Sequence, residues 1–168
     1  MKQITRSKIY LLMPAMILTA ALAVPAAAQH QVPFKGALQG TDFDIAFTDT
    51  TVTVLTVGTG IGTHVGQFSF TQTVVVDFAT DPATSTGSAQ LTAANGDSIS
   101  TTVSGSGEMI EPGLFRIEDV HTITGGTGRF AGAQGSFTVV RLASGVVPLL
   151  TSGSYEGTIA PPGAAHRK

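Results

Sequence analysis

The sequence predicts an all-β chain closed into an eight-stranded antiparallel barrel. Three observations carry this expectation. Apolar and polar residues alternate with a period of two through the clearest segments, the mark of strands with one dry face. Turn-forming pairs such as Asn95-Gly96 interrupt the alternation at short intervals. Glycines stand inside the strands, where they permit the bends and bulges that barrel closure needs and a sandwich needs less. At eight strands the interior is either filled by side chains or just wide enough for one small ligand.

The elements follow in chain order. A strand is expected near 34–40, and Phe43, Ile45 and Phe47 alternate with Asp42, Asp44, Ala46 and Thr48. Another strand is expected near 51–58. In residues 67–78, Phe68, Phe70, Val74, Val76 and Phe78 share one parity, and Val75 is the apolar exception on the wetter side. Asn95-Gly96 should make a two-residue turn between strands near 86–94 and 97–107, with Ile99, Val103 and Met109 on one face. Asp81-Pro82 and Pro112-Gly113 mark further turns. Strands near 114–124 and 130–142 flank the glycine-rich turn 125–128. The last strand, Leu150–Ile159, carries Tyr155 and Ile159 on one parity.

The ends of the chain read differently. Residues 1–28 hold Lys2, Arg6 and Lys8, then an apolar run to Val24, then Pro25-Ala26-Ala27-Ala28. That order is the order of a cleavable secretory signal peptide, cut after Ala28. The expected domains are therefore a leader at 1–28, one barrel at 29–160 and a mobile tail at 161–168. The product is expected to be periplasmic or secreted, with no stable membrane anchor. Of 168 residues, 12% are charged, and the chain has no cysteine. Removing the leader leaves 140 residues with six basic and eleven acidic side chains, a net charge of −5. This balance argues against nucleic-acid binding, which requires a basic face. The lack of cysteine excludes disulfides, thiolate metal sites and a cysteine nucleophile.

The stretch Thr122-Ile-Thr-Gly-Gly-Thr-Gly-Arg-Phe-Ala-Gly-Ala-Gln-Gly-Ser-Phe137 resembles a motif of dirigent proteins and allene oxide cyclases. Both families have a Gly-Gly-(Thr/Ser)-Gly turn, then an aromatic residue, then Gly-Ala-x-Gly on a strand. Gly62-Thr63-His64-Val65-Gly66 resembles a stretch found in bacterial exported relatives. The resemblance implies an eight-stranded calycin-like barrel of the allene oxide cyclase/dirigent-like type. It gives Gly125, Gly126, Gly128 and Phe130 a structural turn role, with Phe130 and Phe137 as core anchors. Plant members use acidic and basic side chains inside the barrel, but those positions lie outside the shared motif. No catalytic residue is therefore carried over. Relatives are often oligomeric, which loosely implies a homo-oligomer.

The residues offer one polar constellation. Asp119 and His121 share the parity of Phe115, Ile117 and Ile123, which aims both into the barrel. His64 has the parity of Phe68 and Phe70 unless Gly66 makes a bulge. Together His64, Asp119 and His121 form a candidate lumen site for a ligand hydroxyl or carboxylate, or for acid–base work. The plainer reading is a structural histidine with satisfied hydrogen bonds. Tyr155 is a further lumen candidate. Arg141 has the parity of Phe137 and Val139, as a lumen cation for an anionic ligand or as a strand-end residue.

Other motifs fail on physical grounds. Gly58-Thr-Gly-Ile-Gly62 and Gly125-Gly-Thr-Gly128 precede strands, whereas a phosphate loop needs a helix behind it. The four histidines show no metal-ligand spacing, and no Gly-x-Ser-x-Gly elbow is present. Neither a metal nor a cofactor is expected. The sequence thus points to a non-catalytic exported barrel that binds a small, partly apolar molecule or acts as an interaction module. The alternative is an isomerase, cyclase or dirigent-like guide of a reactive apolar intermediate. Val75 and Val140 are expected to form one outer apolar patch that pairs with another copy.

Overall fold

The computed structural model describes residues 31–160. The leader at 1–28 and the tail at 161–168, with His30 and His166, lie outside the described residues. Eight strands run in sequence: β1 (Val32–Phe47), β2 (Thr51–Gly62), β3 (Gly66–Asp77), β4 (Ala83–Ala93), β5 (Ser98–Glu111), β6 (Leu114–Gly126), β7 (Gly135–Ser144) and β8 (Leu150–Ile159). Each pairs antiparallel with the next, and β1 pairs with β8 to close the barrel. Closure satisfies both edge strands, so none of the eight described strands leaves its ladder open to solvent.

The meander places alternate turns at opposite ends. One end, where β1 starts and β8 finishes, is plugged. Phe34, Val65, Ile99, Phe130, Ala133 and Ile159 are buried there. The glycine motif builds this plug. Gly128 has φ 56°, and a Cβ on it would strike the Asp97 carboxylate, so only glycine fits. The chain then makes a single 3-10 turn, Gly128–Phe130, which drives the Phe130 ring fully inside. Arg129 lies over that ring at 4.9 Å and donates to the Val65 carbonyl at 3.0 Å. Its Nε pairs with Asp97 at 3.7 Å. Three connections of the plugged end are thereby tied together.

Several local expectations need correction. The seventh strand starts at Gly135 and not near 130, because residues 128–134 form the plug turn. The Asn95-Gly96 turn is the longer link 94–97, with a positive φ at Gly96 only. Of the glycines expected to bend the strands, Gly105 and Gly107 sit in an unbroken stretch of β5, whose register shifts fall at Ser100/Thr101 and Met109/Glu111. Phe43, Ile45 and Phe47 belong to β1 itself, which has a bulge between Asp44 and Ala46. Phe43 is exposed because it faces outward, opposite in parity to the inward Asp42, and Ile45 lies at the bulge. Phe47, Phe78 and Met109 are exposed because the ends of the strands overhang the core. Val75 and Val140 do lie outside, but on β3 and β7, on opposite sides of the barrel. They do not form one patch.

Candidate functional site

Parity and register assemble a polar belt across the middle of the lumen. On β6, Asp119 and His121 point inward as expected and are buried. On β7, Arg141 also points inward and is buried, so it is a lumen residue and not a strand-end one. Its Nη1 meets Asp42 Oδ2 at 3.1 Å and donates to the Thr151 hydroxyl at 3.0 Å. Its Nε lies 3.5 Å from Asp119 Oδ2. The Thr56 hydroxyl donates to Asp42 at 2.6 Å, and Ser85 donates to Asp119 at 2.9 Å. The Gln72 amide reaches Asp119 Oδ2 at 3.4 Å. Two buried carboxylates thus share one guanidinium and three uncharged donors, which answers the high cost of burying unpaired charge.

Glycines make room for the belt. Gly105 is the register partner of Asp119, and Gly153 of Arg141. A Cβ on Gly105 would strike the Asp119 carboxylate and the Glu118 carbonyl. Gly105→Ala is expected to destabilise the protein by about 1–3 kcal/mol, the usual cost of overpacking. Denaturant unfolding measures it.

His121 takes no part in the ion pairs. Its ring stacks on Phe137 at 4.7 Å, and its Nδ1 shares a hydrogen bond with the Thr101 hydroxyl at 3.1 Å. Burial pulls its pKa down to about 4, with Asp119 opposing and Arg141 adding to the shift. The imidazole is therefore neutral at physiological pH. The unfolded chain protonates this group near 6.5 and so binds more protons between pH 6.5 and 4. Stability should be flat with respect to this group above 6.5 and fall as pH drops towards 4. The full loss is about 3 kcal/mol. Comparing wild type with His121→Phe by urea unfolding from pH 7.5 to 4 checks it, since the variant should lack this component of the slope.

Tyr155 crosses the lumen among Phe34, Phe68 and Phe137, with ring centroids 5.1–6.1 Å apart. A Cβ on the facing Gly62 would strike its hydroxyl. Burial pushes the phenol pKa above its ordinary value. His121 Nε2 and Tyr155 Oη are buried side-chain atoms with no hydrogen-bond partner among the described residues. Both residues line a lumen cavity of about 20 Å³, walled by Phe68, Phe70, Leu91 and Val139. Gln72 and Arg141 also line it. A neutral imidazole and a protonated phenol there can exchange hydrogen bonds with a very small guest. Arg141 cannot serve an anionic ligand as a free cation, because Asp42 and Asp119 already occupy it.

The structure brings Asp119, His121, Tyr155 and Arg141 into one lumen. It leaves out His64, which sits exposed in the β2–β3 turn with φ 62°. Gly66, at φ 71°, breaks the parity that aimed His64 inward. Gly125, Gly126, Gly128 and Phe130 belong to the plugged end. Sequence reasoning missed Asp42, Thr56, Gln72, Ser85, Thr101 and Thr151. Two of these left a signal: Gln72 interrupts the Phe70–Val74 stripe, and Asp42 keeps step with Phe34 and Leu38.

No family model and no curated protein matches the sequence. Among solved structures, the chain is similar to the pterocarpan synthase dirigent protein GePTS1. The TM-score is 0.51 at 12% identity, over 86% of this chain and 98% of that one. At that identity the likeness is one of architecture: the chain folds as a dirigent-like eight-stranded barrel.

Proposed function

We propose that the chain is exported, loses residues 1–28 and works as a non-catalytic interaction module through its outer surface. One observation carries this reading. The lumen is packed, and its cavity of about 20 Å³ has room for roughly one water molecule. Ligand pockets for organic molecules usually run to about 300–1,000 Å³. The polar belt is then a structural feature that holds opposite walls together. The test uses purified protein comprising residues 29–168. Native mass spectrometry should show no co-purified small molecule. The His121 ring resonances should stay unmoved by excess phenol or 8-anilinonaphthalene-1-sulfonate. A retained ligand, or a saturable His121 shift, overturns the reading.

A second reading has its own observation. The unpartnered His121 Nε2 and Tyr155 Oη face one apolar-walled cavity, in a fold shared with a dirigent protein. That pair supports an isomerase, cyclase or dirigent-like guide of a small, partly apolar intermediate, if the aromatic walls move apart. Its mark would be a product distribution that both Tyr155→Phe and His121→Ala abolish. Turnover indifferent to both variants would remove the lumen from the chemistry.

A further inference from the structure

The mouth opposite the plug differs sharply from it. Here the β1–β2, β3–β4, β5–β6 and β7–β8 connections meet. Their apolar side chains face solvent: Val147 is 84% exposed, Phe47 71%, Val146 64%, Met109 61% and Phe78 57%. A cluster of this kind at one end of a small domain marks a surface that something covers. The charges of the same end say what kind of partner fits. Asp44, Asp49, Asp81, Glu108 and Glu111 are exposed around it, and none is in an ion pair among the described residues. The described cations are elsewhere or already paired. Arg141 is inside the lumen, Arg129 and Lys35 are towards the plug, and Arg116 is held by Glu118 at 3.2 Å.

The geometry points to the mouth as a docking surface for a polypeptide segment that interleaves large apolar residues with lysine or arginine. This inference rests on the interaction-module reading and names its surface and the chemistry of its partner. Apolar side chains of the segment cover the Phe47–Val147 cluster, and its cations meet the ring of carboxylates. Complementary charge around an apolar centre gives orientation and speeds encounter. A second copy in mouth-to-mouth contact would bring two acidic rings together. An anionic bilayer surface would repel the same ring.

The probe is a 14-residue amphipathic leucine/lysine peptide, with its leucine/glutamate counterpart as control, titrated by fluorescence anisotropy. The lysine peptide should bind and weaken as salt rises. Two rim variants, Phe47→Ser with Val147→Ser, and Asp49→Lys with Asp81→Lys and Glu111→Lys, should each weaken binding at least tenfold. Met109→Gln with Val146→Ser replaces the first set if that set loses its native circular dichroism. Side-wall reversal, Glu118→Lys with Glu156→Lys, should change binding less than twofold. The inference falls if the lysine peptide does not bind, if the side-wall variant loses as much as the rim variants, or if the glutamate peptide binds equally. It falls equally if the rim variants instead abolish self-association in sedimentation or binding to phosphatidylcholine vesicles. Failure here with a silent His121 leaves the interaction-module reading in place. A His121 shift overturns that reading whatever the peptide does.

Discussion

Replacing Arg141 with methionine is expected to destabilise the protein by about 3–5 kcal/mol, the usual cost of removing one partner from a buried ion pair. Methionine fills much of the same volume, so the loss is electrostatic and not a cavity effect. The guanidinium touches Asp42 at 3.1 Å and Asp119 at 3.5 Å, and all three side chains are almost completely shielded from water. Without it, two carboxylates stand in the lumen with only Thr56, Ser85 and Gln72 as donors. Arg141→Lys keeps the charge but loses the fork that reaches both acids, so a smaller loss is expected. Adding Asp42→Asn and Asp119→Asn to Arg141→Met should recover part of the stability, because the uncompensated charge is then gone. Urea unfolding of the four proteins measures this. A loss below about 1 kcal/mol for Arg141→Met would mean that water enters the belt and screens it as a surface pair is screened. Such a result would also weaken the view of the lumen as a dry structural core.

The second large effect is expected at the plug. Phe130→Ala should destabilise the protein by about 3–5 kcal/mol, from the lost transfer free energy and the cavity left behind. Phe130 is fully buried, and its neighbourhood cannot collapse easily. The 3-10 turn that carries it is pinned by Arg129 to Val65 and Asp97, and by Thr127 to Ser98. Phe130→Leu keeps most of the volume and should cost less than about 1.5 kcal/mol. Thermal unfolding followed by circular dichroism distinguishes the two variants. Equal losses would show that ring shape, and not the filled volume, holds this end shut. The result bears on function, because a loosened plug opens the lumen from the side opposite the docking mouth.

Much of the fold was legible because strands declare themselves locally. Phe68, Phe70, Val74 and Val76 alternate with neighbours that are polar except for Val75, and no distant residue is needed to see it. The glycine-rich turn at 125–128 was legible for a similar reason, whereas the inward place of Phe130 was implied by the resemblance to the dirigent and allene oxide cyclase motif. The lumen was half legible. Asp119 and His121 showed their inward aim because apolar residues flank them in step. His64 misled because one glycine of positive φ shifts the parity at the turn. Thr56, Ser85, Thr101 and Thr151 could not be separated from the many threonines and serines that coat the outside, because their chemistry is the same on either face.

The sequence by itself determined that the chain is all-β, that its strands follow one another in chain order, and that glycines make the turn at 125–128. These depend on period-two patterning and on backbone torsions, which act over a few residues. The tertiary structure alone decided that Arg141 is neutralised. Its partner Asp42 lies 99 positions away and reaches it only because β8 pairs with both β1 and β7. It also decided that the lumen is filled and that the apolar surplus gathers at one mouth. Each depends on how far the strands overhang the closed barrel and on which rings cross its axis. Those quantities follow from register around the whole ring of strands, and no local window of sequence contains them.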